Sequence, residues 1–273
     1  MTRIDRRALF ASGAAAALLA ATGASLADTP KSGGTLRLAV PRDDSLEQVA
    51  RGAVFDTLTE IAPDGTLRGE LATGWQTDSS AKVWSFDLRK DVVFHDGGLL
   101  TVQEILPILD EFGQAEALSA GCLRLELPVA NPGLPFRLAD SRFAITRDGQ
   151  SITPLHAANG TGCYRAERAE DGRHFLGRKV AGHYKEGRAG WADAIEVIVI
   201  PDAAVRAEAL RDGYVDVAAM PDPDGLNGQR GLRYHPGESK MALAAAAHVG
   251  MPRQIAQAHA LDDGRIAERW WLA

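Results

Sequence analysis

The chain has 273 residues, 45% of them hydrophobic and 24% charged, so it can bury a sizeable core in one or two domains. A formal net charge of −6 argues against a nucleic-acid backbone as partner and leaves a small ligand open. Two cysteines are too few for a disulfide framework or an iron–sulfur cluster.

Arg3, Arg6 and Arg7 make a basic start, Ala11 to Ala24 is a run of small and apolar residues, and Ser25-Leu26-Ala27 has the small-x-small cleavage pattern. Residues 1–27 are therefore expected to be a signal peptide. The alternative is an uncleaved anchor, for which the run is short and rich in Gly and Ala. Arg6-Arg7 with Ala8-Leu9-Phe10 is similar to a twin-arginine export signal, although Asp5 and Leu9 depart from its usual residues. In an oxidising compartment Cys122 and Cys163 are candidates for a disulfide; two separate buried thiols are the alternative.

Along the mature chain, Thr35–Val40 reads as a first strand, and Arg42, Asp43 and Asp44 follow its carboxyl end. Apolar residues from Leu46 to Thr59 recur at helical spacing. Leu71 to Gly97 reads as two strands, a turn at Asp78-Ser79-Ser80 and a third short extended piece, the framework of the chain. A helix is expected over Thr101 to Phe112, with Glu104 at capping-box spacing from Thr101 and Pro107 inside. Cys122 to Val129 alternates as a half-buried strand, Leu134 to Asp140 reads as one or two helical turns, and Arg142 to Thr146 as a short strand. Gly160-Thr161-Gly162-Cys163-Tyr164 leads into a strand and lacks the Lys-Ser/Thr of a phosphate loop. A hairpin through Asp171-Gly172, a buried strand at Ala194 to Ile200, a helix from Pro201 with Ala204, Val205, Ala209 and Leu210 as its apolar side, and a strand at Val215 to Ala218 follow. Pro221 to Gly231 reads as loop, Met241 to Ala247 is apolar, and Asp262-Asp263-Gly264 is a turn.

Several of these blocks, in the same order, resemble the bacterial extracellular solute-binding proteins for oligopeptides, dipeptides and nickel. The blocks are Gly34-Thr35-Leu36-Arg37-Leu38-Ala39, Phe55-Asp56-Thr57-Leu58, Leu71-Ala72-Thr73-Gly74-Trp75, Trp84 to Gly97, Gly160 to Tyr164, Tyr184, and Ala209 to Ala218. Cys163 stands where that family usually has proline. The resemblance implies an α/β fold of the periplasmic-binding-protein type (class II-like), mainly the large lobe, with mixed β-sheets and flanking helices. It implies a large-lobe domain over 28–219 and a short segment, 220–273, that returns to the same lobe through Arg265 to Leu272. Members run about twice this length, so a shortened protein without most of the second lobe is expected.

On that resemblance the protein is expected to be periplasmic and non-catalytic. It would capture a peptide or related small polar solute for an ATP-driven importer, with an inner-membrane ABC permease, a second copy or another protein as partner. Two alternatives stand beside it: a reduced lobe kept as an interaction or scaffold protein, and a binder of nickel or a metal complex. The candidate ligand contacts are Arg42, Asp43 and Asp44, suited to the charged ends of a peptide. No cofactor or metal site is expected, because the seven histidines show no HExxH or other compact ligand spacing. A nucleophile elbow and a recognisable triad spacing are also lacking. His95-Asp96 is expected to be structural, and Trp84, Tyr164 and the pair Trp270-Trp271 to belong to the core.

Overall fold

The structure is a computed structural model that describes residues 29–147, 149, 154–220, 226, 231–235, 242–252 and 265–273. The expected signal peptide, most of the loop from Pro221 to Gly231 and the turn at Asp262-Asp263-Gly264 lie outside the described residues.

Thr35–Val40 forms β1, and its period of two decides how the fold is layered. Leu36, Leu38 and Val40 enter one core while Ala39 enters another on the opposite face. β1 pairs in parallel with β10 (Ala194–Val199), matching Leu38 with Val197, and with β11 (Val217–Met220), matching Ala39 with Ala218. β8 (Tyr164–Glu170) and β9 (His174–Lys179) extend the sheet antiparallel on one side, and β12 (Leu232–His235) and β13 (Ala242–Ala246) on the other. The order of this seven-stranded sheet is β12-β13-β11-β1-β10-β9-β8.

α1 (Asp43–Val54) covers one face with Leu46, Val49, Ala50, Ala53 and Val54, a helical spacing that makes one apolar stripe. It starts three residues before the expected Leu46 and ends at Val54, where Phe55 is already extended. α4 (Ala203–Arg211) covers the other face through Ala207 and Leu210. Asp202 caps it, accepting from the backbone of Ala204 at 2.7 Å. Its expected apolar side is corrected: Val205 is exposed, and Arg206 is turned inward instead.

A second core lies behind the four-stranded sheet β4-β5-β7-β6. β4 (Ala72–Thr77) and β5 (Val83–Leu88) are joined by the expected turn, where Asp78 accepts from the backbone of Lys82 and Val83. β7 is Cys122–Glu126, and β6 (Gln114–Ser119) is a strand the sequence pattern does not mark, since five of its six side chains are exposed. α2 (Val102–Leu109) carries the full Thr101–Glu104 capping box and keeps Pro107 inside. α3 is Leu134–Arg137. The strand expected at Arg142 to Thr146 is not formed. Asp140 accepts from the Arg142 backbone and side chain and holds a tight helical turn at Ser141–Phe143. β2 (Thr59–Ile61) and β3 (Leu67–Gly69) make a small hairpin. Beside the large sheet, β14 (Val249–Gly250) pairs with β15 (Trp271–Leu272), and α5 (Ile266–Arg269) contributes Ile266 and Ala267 to the first core, with Trp270 just after it.

The two cores are joined by the motifs that looked most family-like. Gly160 and Gly162 pass against the end of α1 so closely that a Cβ on Gly160 would lie 2.1 Å from the Val54 carbonyl. His95 donates its backbone N–H to Gly160 and places Nε2 2.9 Å from the Gly162 carbonyl. Burial pushes the His95 imidazole below its ordinary value, which suits a structural ring. The disulfide expected between Cys122 and Cys163 is also corrected. Both thiols are free: Cys122 sits on β7 in the second sheet, whereas Cys163 is buried in the first core beside His183.

Candidate functional site

The parallel trio β10-β1-β11 ends at Val199, Val40 and Met220. Because α1 leaves β1 over one face and α4 leaves β10 over the other, the edge at these carboxyl ends is a topological switch point, the kind of place where open α/β sheets hold ligands. Arg42 and Asp44 lie there. Arg42 Nη2 is 3.2 Å from Asp44 Oδ2, both side chains are about two-thirds exposed, and Ser45 donates to Asp44 Oδ1 at 3.2 Å. Asp43 opens α1 at the same edge. The structure thus brings Arg42 and Asp44 together as an exposed pair able to meet both charges of a zwitterion.

The residue that organises this edge was missed by sequence reasoning. Arg206 is buried, with 2% of its surface exposed, yet it faces no carboxylate within ion-pair distance among the described residues. It donates to the carbonyls of Ala219 at 2.7 Å, Ile200 at 2.6 Å and Pro201 at 2.9 Å. Burial holds its pKa below the ordinary value, and these three carbonyls replace its water. It pins the ends of β10 and β11 to α4, on either side of β1. An arginine placed amid Ala204, Val205, Ala207 and Leu210 was the available signal.

At the opposite, amino-terminal end of the sheet lies a charged cluster that no motif announced. Asp56, Glu70, Lys185, Arg265 and Glu268 are all buried and come from four stretches of the sequence. Lys185 Nζ donates to Asp56 at 2.9 Å, to Glu268 at 3.2 Å and to Glu70. Arg265 spans Glu70 (2.8 Å from Nη2 to Oε2) and Glu268 (3.2 Å). Thr161 donates to Asp56 at 2.9 Å, and the Thr57 N–H to Glu70 at 2.7 Å. Burial alone would raise the Glu70 carboxyl, but Arg265 and Lys185 outweigh it and hold it far below the ordinary carboxylate value. The same two cations hold Glu268 down. Lys185 is raised well above its ordinary value because Asp56, Glu268 and Glu70 outweigh its own burial. His183 accepts the Lys185 N–H at Nδ1, which leaves Nε2 to donate to the Thr161 carbonyl at 2.7 Å.

Glu60, Glu70 and Glu268 offer oxygens within 4.8 Å of one another, the one three-carboxylate grouping among the described residues. Arg269 holds Glu60, and Lys185 and Arg265 hold the other two, so the positive charge a metal ion would supply is already present as side chains. Over the cluster opens a cavity of about 630 Å³, floored by Glu70, Lys185 and Glu268 and walled by residues including Arg89, Tyr184, Arg188, Trp191 and Trp271.

No protein-family model matches the chain. It is 30% identical over 149 residues to an uncharacterised Bacillus subtilis protein, YhjP, covering 46% of this chain and 25% of the relative. It is 26% identical over 196 residues to the nickel-binding periplasmic protein of Escherichia coli, covering 63% and 36%. Among solved structures, the periplasmic binding protein DppA of Helicobacter pylori in complex with the peptide STSA superposes with a TM-score of 0.66 at 19% identity, over 75% of this chain and 50% of that one. The chain therefore spans about half the length of the solved structure it matches, and 25% and 36% of these two curated relatives. The described residues have the α/β, type II-like periplasmic-binding-protein fold, with mixed β-sheets and flanking helices, that is found in the binding subunits of ABC importers.

Proposed function

We propose that the protein is a non-catalytic periplasmic solute-binding protein that captures a peptide or related small polar solute and presents it to an inner-membrane ABC permease. The observation that carries this reading is the exposed Arg42–Asp44 pair at the carboxyl end of β1, the central strand of a binding-protein sheet. A guanidinium and a carboxylate, both about two-thirds exposed, offer the two charge signs that the ends of a zwitterion need, and Arg206 holds the adjacent strand ends in place. Residues 1–27 act as the export signal, twin-arginine in type, and residues 28–219 form the large lobe. The second wall needed to bury the solute comes from outside the described residues, either a further segment or a partner surface.

The test is a thermal-shift series on purified protein with di- and tripeptides, free amino acids and nickel chloride, followed by calorimetry on any hit. A saturable peptide shift that disappears in the Arg42→Ala/Asp44→Ala variant supports the reading. A flat response to every peptide and amino acid overturns it, and a shift with nickel alone replaces it with the metal-binding alternative.

A further inference from the structure

The cavity at the amino-terminal end of the sheet lies away from the Arg42–Asp44 edge, and its unused hydrogen-bonding groups are nearly all donors. Its carboxylates are taken: Glu60 by Arg269 at 3.3 Å, Asp64 by Arg68 at 3.6 Å, and Glu70 and Glu268 by the buried cations beneath. Two guanidiniums are not matched in this way. Arg89 gives Nε to the Glu70 carbonyl at 3.1 Å, and Arg188 gives Nη2 to the Tyr184 carbonyl at 3.2 Å. Neither has a carboxylate within ion-pair distance among the described residues, so the remaining N–H groups of both forks have no anionic acceptor there. Both gather on Tyr184, with the Arg89 guanidinium carbon 4.7 Å from the centre of its ring. The Tyr184 hydroxyl is itself buried and has no hydrogen-bond partner among the described residues. It is turned away from the cavity, toward the second core, so the donors facing the cavity are the two guanidiniums. Trp191 and Trp271 add flat apolar wall, and a volume of about 630 Å³ is that of a small-molecule site.

We infer that this cavity is a second binding site, for a small organic carboxylate with a flat apolar body. The carboxylate sits on Arg89 and Arg188, and the body lies against the Arg89–Tyr184 pair and the two tryptophans. A cation is not the occupant, because every carboxylate in the wall already has its counter-charge.

Calorimetry of the purified protein with phenylacetate and indole-3-acetate, each beside its uncharged amide, tests this directly. Saturable one-to-one binding of an aromatic carboxylate is expected, with its amide at least tenfold weaker and the affinity falling as salt rises. Arg188→Gln, at an exposed position, should weaken binding about tenfold, and Arg89→Gln/Arg188→Gln should abolish it. Tyr184→Phe keeps the ring and should leave binding within about twofold of wild type, and Arg188→Gln keeps the test standing if the Arg89 change disturbs folding. Arg42→Ala/Asp44→Ala should leave this binding unchanged, so failure here and failure of peptide capture read out separately. Absence of saturable binding by both probes at millimolar concentration, equal binding of acid and amide, or wild-type affinity in Arg188→Gln would each overturn the assignment.

Discussion

The two ends of the central strand solve opposite electrostatic problems. At its carboxyl end, Arg42 and Asp44 pair in open solvent, where each keeps most of its hydration and contact between them adds little stability. At its amino end, three carboxylates and two cations are sealed away, and each can persist only because the others are there. The first arrangement leaves charge available to a ligand. The second commits charge to holding the segment after α1, the lead-in to β10 and the C-terminal α5 in one place. Exposed and buried ion pairs are thus different objects even when their distances match, as the 3.2 Å contacts of Arg42–Asp44 and Lys185–Glu268 show.

Substitutions can break this contrast. The largest effect is expected from Lys185→Met, which strands Asp56, Glu70 and Glu268 with Arg265 alone. A loss of about 3–5 kcal/mol is expected, read as a fall of roughly 10 °C or more in melting temperature. A fall of under 3 °C would mean that water reaches the cluster. Thr161→Val removes one donor to the buried Asp56 carboxylate and should cost about 1.5–3 kcal/mol in a urea titration.

Acid supplies a third probe. Glu70 and Glu268 have folded-state pKa values below the ordinary 4.5, so the unfolded chain binds more protons as pH falls below that value. Their stabilisation is complete above about pH 5 and is lost as pH drops from there toward their folded-state values. Melting temperatures measured between pH 6 and pH 3 should show this decline, and it should be shallower in Glu70→Gln. The smallest effect belongs to the exposed edge. Arg42→Ala and Asp44→Ala should each change stability by no more than about 0.5 kcal/mol, while removing the solute response if that edge is the capture site. A large stability loss there would erase the distinction between the two ends.

The sequence by itself determined the strands of the large sheet that alternate or run apolar, the Thr101 capping box, and the framework role of Leu71 to Gly97. Each is a local property: the period of two, the cap spacing and the turn residues act within a few positions. It also placed Trp84, Tyr164, Trp270 and Trp271 in the core, since large apolar groups have nowhere else to go. It failed where the side chain's neighbours are distant. β6 exposes most of its residues and so lacks the alternation that marks a half-buried strand. Arg206 sits on a helix face that composition alone would leave to solvent, and only the carbonyls at two strand ends explain its burial. Cys122 and Cys163 share a chain and an expected compartment, but Cys163 is buried in the first core and Cys122 is half-buried on a strand of the other sheet. The cluster of Asp56, Glu70, Lys185, Arg265 and Glu268, and the cavity above it, were decided by tertiary structure alone. Their attraction acts through space between segments that periodicity treats as unrelated, and burial, which turns it into a requirement, is a property of the assembled fold.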